Sequence, residues 1–157
     1  MGTKSIAVGE QAPDFSAETH DGRTVSLAEF RGKQVVVLYF YPKDGTRVCT
    51  AEACSFRDSF EDFTQAGAVV IGVSGDTLES HRKFAMQQRL PFTLVSDADG
   101  KLRKSFGVPS LLWLVPGRVT YVIDKQGTVR HVFNSMFTSD KHVQEALNVV
   151  KRLESEA

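Results

Sequence analysis

The feature that most constrains the fold is a continuous apolar run from Gln34 to Tyr41, with the sequence QVVVLYFY. β-Branched and aromatic residues favour strands. An unbroken run of them, without polar alternation, is typical of a strand that is buried on both faces. A second run of this kind, AVVIGVS, extends from Ala68 to Ser74. The two runs therefore predict two buried strands of an α/β fold.

Helical patterns separate and follow these strands. The segments with helical periodicity are residues 49–65, 78–89 with Asp76 or Thr77 as the N-cap, 101–106 and 141–153. Short extended stretches are predicted at 15–19 and 23–27 around a turn at Asp21-Gly22, at 92–95, and as a hairpin of 119–123 and 128–133. This order resembles the thioredoxin architecture with an N-terminal β-hairpin extension. We expect one thioredoxin-like domain over residues 1–157, with a core of about 8–153.

The composition favours one compact domain without membrane or nucleic-acid contacts. Hydrophobic residues make up 41% of the 157 residues, which is enough to fill a core. Nineteen basic residues balance nineteen acidic ones, so no net charge attracts nucleic acid or acidic membranes. No apolar run approaches the ~20 residues that span a bilayer, and the N-terminal segment lacks the apolar core of a signal peptide. The expected location is the cytoplasm, or a plastid interior if a transit peptide has been removed.

The only two cysteines, Cys49 and Cys54, are five residues apart in one predicted helix. Cys49 begins an apolar stripe that should face the core, with Ala53, Phe56, Phe60 and Phe63. Cys54 falls on a polar flank with Asp58, Glu61 and Gln65. Five helical residues give a rotation of roughly 140° and a rise of about 7.5 Å. The two Cα atoms would be roughly 8–9 Å apart, beyond the ~7 Å limit for a disulfide. A bridge therefore requires the helix to unwind.

The helix also predicts unequal reactivity for the two thiols. The thiolate is the attacking species, and a helix N-terminus favours an anion. Cys49 has this position, and Arg47 or another arginine could add to the effect. Cys54 lies inside the helix beside acidic residues and has no such help. The same spacing would also suit two unrelated buried thiols, because free cysteines are common in cores. Spacing alone does not decide between these alternatives.

The segment from Pro42 to Cys49, PKDGTRVC, resembles the active-site motif of the peroxiredoxin family. That motif is Pro, three residues, Thr or Ser, two residues and Cys. The second cysteine five residues later resembles the bacterioferritin-comigratory-protein and peroxiredoxin Q subfamily. Further segments carry the same resemblance: VGEQAPDF at 8–15, VIGVSGD at 70–76 and PGRVTYVIDKQG at 116–127. The resemblance extends over roughly residues 8–153 and favours the redox interpretation of the cysteine pair.

The resemblance assigns roles to five residues. Cys49 corresponds to the peroxidatic cysteine and Cys54 to the resolving one, while Pro42, Thr46 and Arg118 complete the site. Thr46 can hold the peroxide by donating and accepting hydrogen bonds, and Arg118 supplies a fixed positive charge. Pro42 can restrict the loop and shield the pocket from water. The resemblance implies a sulfenic acid at Cys49, a disulfide with Cys54, and reduction by thioredoxin or a similar dithiol protein.

Several positions near the motif have two interpretations. Arg47-Val48 replaces the usual Pro-Gly of this subfamily, and Arg47 either raises reactivity or faces solvent. Glu52 either orients Arg118 or is an ordinary exposed residue of a first helical turn. Tyr41 either lines the pocket or packs in the strand. Trp113 lies in an apolar loop-like stretch that either packs over the active site, forms an exposed partner surface or packs in the core, and core packing is the favoured interpretation.

The favoured function is a monomeric thiol peroxidase that reduces hydrogen peroxide or small organic hydroperoxides in antioxidant defence. No metal, flavin or haem is expected, because cysteine supplies the redox equivalents and the four histidines lack ligand spacing. One alternative enzyme is a general thiol–disulfide oxidoreductase, although that activity typically uses a Cys-x-x-Cys pair. A non-enzymatic alternative is a redox-regulated binding module or holdase that senses oxidation through the same two thiols.

Overall fold

The computed structural model describes residues 5–111 and 115–156. The strands in this part of the chain are β1 Ser16–Glu18, β2 Thr24–Ser26, β3 Val35–Phe40, β4 Ala68–Ser74, β5 Thr93–Ser96, β6 Ser110–Leu111, β7 Val115–Pro116, β8 Val119–Ile123 and β9 Val129–Asn134. The helices are α1 Arg47–Asp58, α2 Phe60–Gln65, α3 Leu78–Gln88, α4 Lys101–Phe106 and α5 Ser139–Glu156, with a 3₁₀ turn at Leu27–Phe30. Trp113, which was expected to pack in the core, lies outside the described residues.

A five-stranded sheet in the order β5-β4-β3-β8-β9 forms the centre of the fold. β3, β4 and β5 are parallel, whereas β8 and β9 are antiparallel to their neighbours. All six residues of β3 are buried, as its unbroken apolar run predicted. This arrangement, with helices around a mixed sheet, confirms the thioredoxin-like fold class. The pairing of β3 with β8 places the start of β8 beside the end of β3, because Val119 faces Phe40.

Alternate residues of β3 fill two separate cores, as the period of a strand requires. Val37, Tyr39 and Tyr41 belong to the core that also contains buried residues of α1, α2, α3 and α5. Leu38 and Phe40 belong to the core on the other face, beneath α4 and the N-terminal hairpin. The sheet is therefore covered on both sides, and α1 lies on the same side as α5.

The predicted helix over residues 49–65 is wrong in its extent. The structure has two helices there, separated at Ser59, and α1 begins two residues earlier than expected, at Arg47. The backbone angles of Ser59, φ −101° and ψ 6°, lie outside the helical range and interrupt the regular pattern. The predicted apolar stripe is confirmed: Cys49, Ala53, Phe56 and Phe63 are buried, and Phe60 packs against them.

Other expectations about the elements are largely confirmed. β1 and β2 pair as the N-terminal hairpin, and β8 and β9 as the second hairpin. Thr77 is the N-cap of α3, since its hydroxyl accepts a hydrogen bond from the Ser80 backbone N–H. α5 extends beyond the predicted 141–153 at both ends, and the short β6–β7 pair was not predicted. No helix in the described ranges has the length and apolar character to cross a membrane.

Candidate active site

The motif loop joins the end of β3 to the start of α1. Gly45 has a φ of +77°, which favours glycine, and it turns the chain towards Thr46. Thr46 is the N-cap residue of α1, and its carbonyl accepts the Thr50 N–H at 2.8 Å. Its exposed hydroxyl donates to the Lys43 carbonyl at 2.9 Å rather than capping the helix. The hydroxyl proton is therefore engaged, while the oxygen lone pairs of Thr46 can accept a hydrogen bond from a substrate.

Cys49 occupies the first turn of α1 and is only 1% exposed. The first N–H groups of an α-helix have no partner within the helix, and the helix dipole adds positive potential at this end. The Cys49 sulfur is therefore close to groups that stabilise an anion. It is a free thiol and part of the core cluster on the α1 side of the sheet.

Arg118 makes the closest polar contact with Cys49. It directly precedes β8, and the pairing of β8 with β3 brings it to the start of α1. Its guanidinium donates from Nη2 to Cys49 Sγ at 3.2 Å, from Nη1 to Glu52 Oε1 at 2.5 Å and from Nε to the Met136 carbonyl at 2.9 Å. Arg118 is 2% exposed, so three acceptors fix a buried positive charge beside the sulfur. Burial alone would lower the pKa of Arg118, but Glu52 and Cys49 raise it above its ordinary value.

Glu52 lies one helical turn after Cys49 and is completely buried. Of its two interpretations, the structure favours the one in which it orients Arg118. Its second oxygen, Oε2, has no hydrogen-bond partner among the described residues and lies 3.6 Å from His142 Nδ1. Burial raises the pKa of Glu52 to about 8, and Arg118 only partly offsets this effect. The Glu52 carboxyl therefore holds its proton to a higher pH than an exposed glutamate does.

His142 is a buried neighbour of this group that the sequence did not single out. It lies in the first turn of α5, and its Nε2 donates to the Ser135 carbonyl at 2.7 Å. Its Nδ1 accepts from the Thr120 hydroxyl at 2.7 Å. Burial lowers the pKa of His142 to about 4, the Ser135 carbonyl opposes that shift, and Arg118 adds to it. One sequence signal could have found it, because His142 shares a helical stripe with the buried residues Ala146, Val149 and Leu153.

A second buried polar group anchors the motif loop. Asp44 accepts hydrogen bonds from the Tyr41 hydroxyl at 2.5 Å and the Ser80 hydroxyl at 2.9 Å, and its Oδ2 lies 2.7 Å from His81 Nδ1. His81 Nε2 lies 2.9 Å from the Val95 carbonyl, which can only accept. Tyr41 is 1% exposed within the core, so the structure favours its packing interpretation.

Asp44, Asp76 and His81 bring their ligand atoms within 4.8 Å of one another, a spacing that suits a metal ion. Their polar atoms already bond to protein groups: Asp76 Oδ2 accepts from the Asp44 N–H at 2.8 Å and from the Ser74 hydroxyl at 2.6 Å. We therefore assign this group to holding the loop. The sequence contained a signal for it, because Asp44 and Asp76 each follow a strand of the parallel pair β3–β4.

Cys54 lies further along α1 in a different environment. Its thiol is half-buried and donates to Gln88 Oε1 at 3.4 Å. One uninterrupted helix contains Cys49 and Cys54, and both are free thiols. The structure therefore brings Arg118 and Glu52 to Cys49 but holds Cys54 apart from them. Pro42 is half-buried in the motif loop.

The departure from the usual motif does not disrupt the start of the helix. Arg47 and Val48 form the first residues of α1, directly after the N-cap Thr46. Arg47 is exposed, so the structure favours the solvent-facing interpretation of this residue. A proline at position 47 would fix φ but would donate no N–H, whereas Arg47 keeps that donor at the helix N-terminus.

Residues 8–132 match the AhpC/TSA family. Peroxiredoxin Q of wheat, described as chloroplastic, is 51% identical over 149 residues, which cover 94% of this chain and 68% of the wheat protein. The chloroplastic peroxiredoxin Q of Sedum lineare is also 51% identical over 149 residues, covering 94% of this chain and 80% of that protein. Among solved structures, peroxidoxin BcpB of Mycobacterium tuberculosis superimposes with a TM-score of 0.87 at 34% identity, covering 94% of this chain and 98% of the other.

Proposed function

The chain belongs to the AhpC/TSA family, in its peroxiredoxin Q branch, and is a thiol-dependent peroxidase; we propose that Cys49 is the residue that its peroxide substrate oxidises. The observation that carries this assignment is the 3.2 Å contact between Arg118 Nη2 and Cys49 Sγ, with both side chains buried. Arginine keeps its proton in proteins, so a permanent positive charge faces the sulfur. That charge stabilises the thiolate, which is the nucleophilic form.

The first step follows from these contacts. The Cys49 thiolate attacks one oxygen of the peroxide, the O–O bond breaks, and the other oxygen leaves as hydroxide or alkoxide. Sulfur is oxidised to a sulfenic acid and the leaving oxygen takes up a proton to give water or an alcohol. Arg118 and the N–H groups of the first turn of α1 stabilise the negative charge as it moves from sulfur to oxygen. The Thr46 oxygen accepts a hydrogen bond from the peroxide and orients it.

The second step assigns Cys54 as the resolving cysteine. The Cys54 thiol attacks the Cys49 sulfenic acid, a disulfide forms and one water leaves, so that the atoms balance. In the intact helix, five residues separate the thiols by more than a disulfide can bridge. The helix must therefore unwind between Cys49 and Cys54 before this step. Pro42 limits the motion of the motif loop before α1 and shields the site from water.

The remaining parts of the cycle concern partners and location. The family implies a peroxide substrate and a thiol reductant, and we assign hydrogen peroxide or small organic hydroperoxides and thioredoxin or a similar dithiol protein. We propose that the chain acts as a monomer, because both thiols of the cycle lie in one helix. The wheat and Sedum lineare relatives are described as chloroplastic, which favours a plastid interior over the cytoplasm.

Intact-mass measurement after one equivalent of hydrogen peroxide tests the assignment of both cysteines. Wild-type protein should lose two hydrogens, because the intramolecular disulfide forms. Cys49→Ser should show no change in mass and no peroxide consumption. Cys54→Ser should gain one oxygen at Cys49, with the first oxidation at the wild-type rate, and should stall when thioredoxin is supplied as the reductant.

Three outcomes would contradict these roles. Rapid oxidation of Cys49→Ser would remove Cys49 as the peroxidatic residue. Unimpaired thioredoxin-driven turnover of Cys54→Ser would remove Cys54 as the resolving residue. Slow oxidation of wild-type protein without turnover would favour a redox-sensing module instead of a peroxidase.

A further inference from the structure

The end of α1 that contains Cys54 is held by one residue of α3. Gln88 is the last residue of α3, and it contacts α1 through both its side chain and its backbone. Its Oε1 accepts from the Cys54 thiol at 3.4 Å, and its carbonyl accepts from Arg57 Nη1 at 2.7 Å. Cys54 and Arg57 are three residues apart and therefore point to the same side of α1. A single position thus connects Cys54 and the following turn to a neighbouring helix.

The end of α3 provides a geometric reason for the Arg57 contact. The last carbonyls of an α-helix have no partner within the helix, and a cation is favoured there. The chain leaves α3 at Arg89, which has a left-handed φ of 53°, so the regular ladder ends there and the Gln88 carbonyl has no partner within the helix. Arg57 supplies both the donor and the positive charge that this carbonyl attracts. The contact therefore joins the C-terminal ends of α1 and α3.

We propose that Gln88 and Arg57 form a latch that keeps Cys54 in its helical position and sets the rate at which Cys54 reaches the Cys49 sulfenic acid. Both are positioning residues that do not touch the peroxide, and the proposal rests on the assignment of Cys54 as the resolving cysteine. The two hydrogen bonds exist only while α1 is intact around Cys54. The Cys54 bond must break before the disulfide forms, and the Arg57 bond holds the turn that follows Cys54 in place, so both add to the barrier of that step alone.

The latch also governs a competing reaction. While Cys49 is a sulfenic acid, a second peroxide can oxidise it to a sulfinic acid, with release of water. The fraction of enzyme lost to this reaction depends on how long the sulfenic acid persists before Cys54 attacks it. A tighter latch prolongs that interval and a weaker one shortens it. Gln88 and Arg57 therefore set the peroxide concentration at which the enzyme inactivates itself.

Gln88→Met tests the side-chain part of the latch, since methionine has a similar length but is a poor acceptor. The matched control is Gln87→Met, because Gln87 is an exposed neighbour whose side chain makes no hydrogen bond in the described part of the chain. Rapid-quench mass spectrometry would separate formation of the sulfenic acid from formation of the disulfide. In Gln88→Met we expect disulfide formation about 3- to 10-fold faster, the effect of one lost hydrogen bond, with the first oxidation unchanged. Gln87→Met should match the wild type in both steps.

Arg57 tests the backbone part of the latch. Arg57→Ala should accelerate disulfide formation by a similar factor, whereas Arg57→Lys should restore the slower rate because lysine can still donate to the Gln88 carbonyl. The peroxide dose that half-inactivates the enzyme should rise with each acceleration. Hydrogen exchange in the reduced state provides a second measurement, with faster exchange of the α1 amides in Gln88→Met and Arg57→Ala than in Gln87→Met.

The outcomes separate the latch from the proposed function. If wild-type protein forms the intramolecular disulfide and both Gln88→Met and Arg57→Ala form it at the wild-type rate, the latch is wrong and the role of Cys54 stands. If either variant forms it more slowly, the latch is also wrong, because the contact would then promote resolution. If wild-type protein forms no intramolecular disulfide, the assignment of Cys54 fails, and the latch fails with it.

Discussion

The two cysteines of α1 lie in different environments. In the first, near the N-terminal end of the helix, fully buried charged and polar groups surround Cys49. In the second, Cys54 is half-buried and hydrogen-bonds to one amide oxygen. Arg118 and His142, which build the first environment, are distant in the sequence and lie in other segments of the fold. Gln88, which builds the second, lies on a neighbouring helix. The first environment fixes positive charge beside the Cys49 sulfur, whereas the second holds the Cys54 thiol by one weak hydrogen bond, which the proposed disulfide formation would break.

The difference has an energetic basis. Removing Arg118 and Glu52 from water carries a large desolvation penalty, and Glu52 Oε2 remains without a hydrogen bond among the described residues. Such an arrangement is a poor way to stabilise a fold, since well-packed apolar side chains could fill the space at lower cost. Its value lies in the fixed charge beside Cys49. The thiol–amide contact at Cys54 has no such penalty and is correspondingly weak.

The largest effect is expected when the Cys49 end loses its positive charge. Arg118→Ala should slow the first oxidation by about 100- to 1,000-fold, because the thiolate and the leaving oxygen lose a preorganised donor. Stopped-flow measurement of peroxide consumption checks this, with far-UV circular dichroism to verify the fold. The matched control is Arg47→Ala, which removes an exposed arginine only two residues before Cys49. A near-wild-type rate in Arg118→Ala, or an equal loss in Arg47→Ala, would remove the distinction between the two arginines.

The contrast between Arg47 and Arg118 also shows what the sequence could and could not predict. Chain proximity favoured Arg47, while only the family resemblance indicated Arg118, because its distance to Cys49 depends on the pairing of β3 with β8. The buried run of β3 and the apolar stripe of α1 follow from local periodicity, so the sequence alone predicted them. The break at Ser59 and the role of Gln88 depend on how α1, α2 and α3 pack, and no local pattern contains that information.

Glu52 is an intermediate case. A glutamate near the start of a helix is usually exposed. The burial of Glu52, in the second turn of α1, depends on Arg118 and on α5, whose His142 lies 3.6 Å from Oε2. The helical periodicity of residues 141–153 predicted α5 but did not single out His142, which shares a stripe with the buried Ala146. The sequence therefore predicts which helix faces are buried more readily than which polar groups meet between them.

The next largest effect concerns Glu52 as the partner of Arg118. Glu52→Leu should slow the first oxidation by about 10-fold, because Arg118 Nη1 loses its acceptor and the guanidinium is no longer fixed. Glu52→Gln should remain within about 3-fold of the wild type at pH 7, since the amide oxygen keeps the bond from Arg118 Nη1. Stopped-flow kinetics on both variants checks the pair. A glutamine variant as slow as the leucine variant would mean that the reaction needs an ionised Glu52.

A smaller effect is expected in the pH dependence of stability. The pKa of Glu52 is raised from 4.5 to about 8 on folding, so its contribution to stability is present at low pH and is lost as the pH rises through that range. The pKa of His142 is lowered from 6.5 to about 4, so its contribution is present above pH 6.5 and is lost on acidification. Between pH 4.5 and 6.5 the contribution of Glu52 to stability falls with rising pH while that of His142 rises, so the two effects oppose each other. From pH 6.5 to 8 only Glu52 acts, and stability should fall with a slope of at most about 1.4 kcal/mol per pH unit.

Urea unfolding of the reduced protein over that pH range provides the measurement. Glu52→Gln serves as the reference, because the other titrating groups are common to both proteins and cancel in the difference. The free energy of unfolding of wild-type protein relative to Glu52→Gln should decline between pH 6.5 and 8. A difference that stays constant would show that the pKa of Glu52 is not raised on folding.

The smallest effect is expected from Asp58, at the same end of α1 as Cys54. Its ion pair with Arg57 is at the surface, with side-chain exposures of 69% and 33%, so solvent screens most of the attraction. Asp58 bonds to Arg57 Nε, whereas Nη1 reaches Gln88, so Asp58→Ala leaves the contact with α3 in place. Alanine has a higher helix propensity than aspartate, and replacing Asp58 removes an anion from the C-terminal turn of α1. Asp58→Ala should therefore change the free energy of unfolding by less than about 1 kcal/mol. The rate of disulfide formation should stay unchanged or fall slightly, whereas Arg57→Ala should raise it. Acceleration equal to that of Arg57→Ala, measured by rapid-quench mass spectrometry, would show that Asp58 rather than the Gln88 carbonyl holds Arg57.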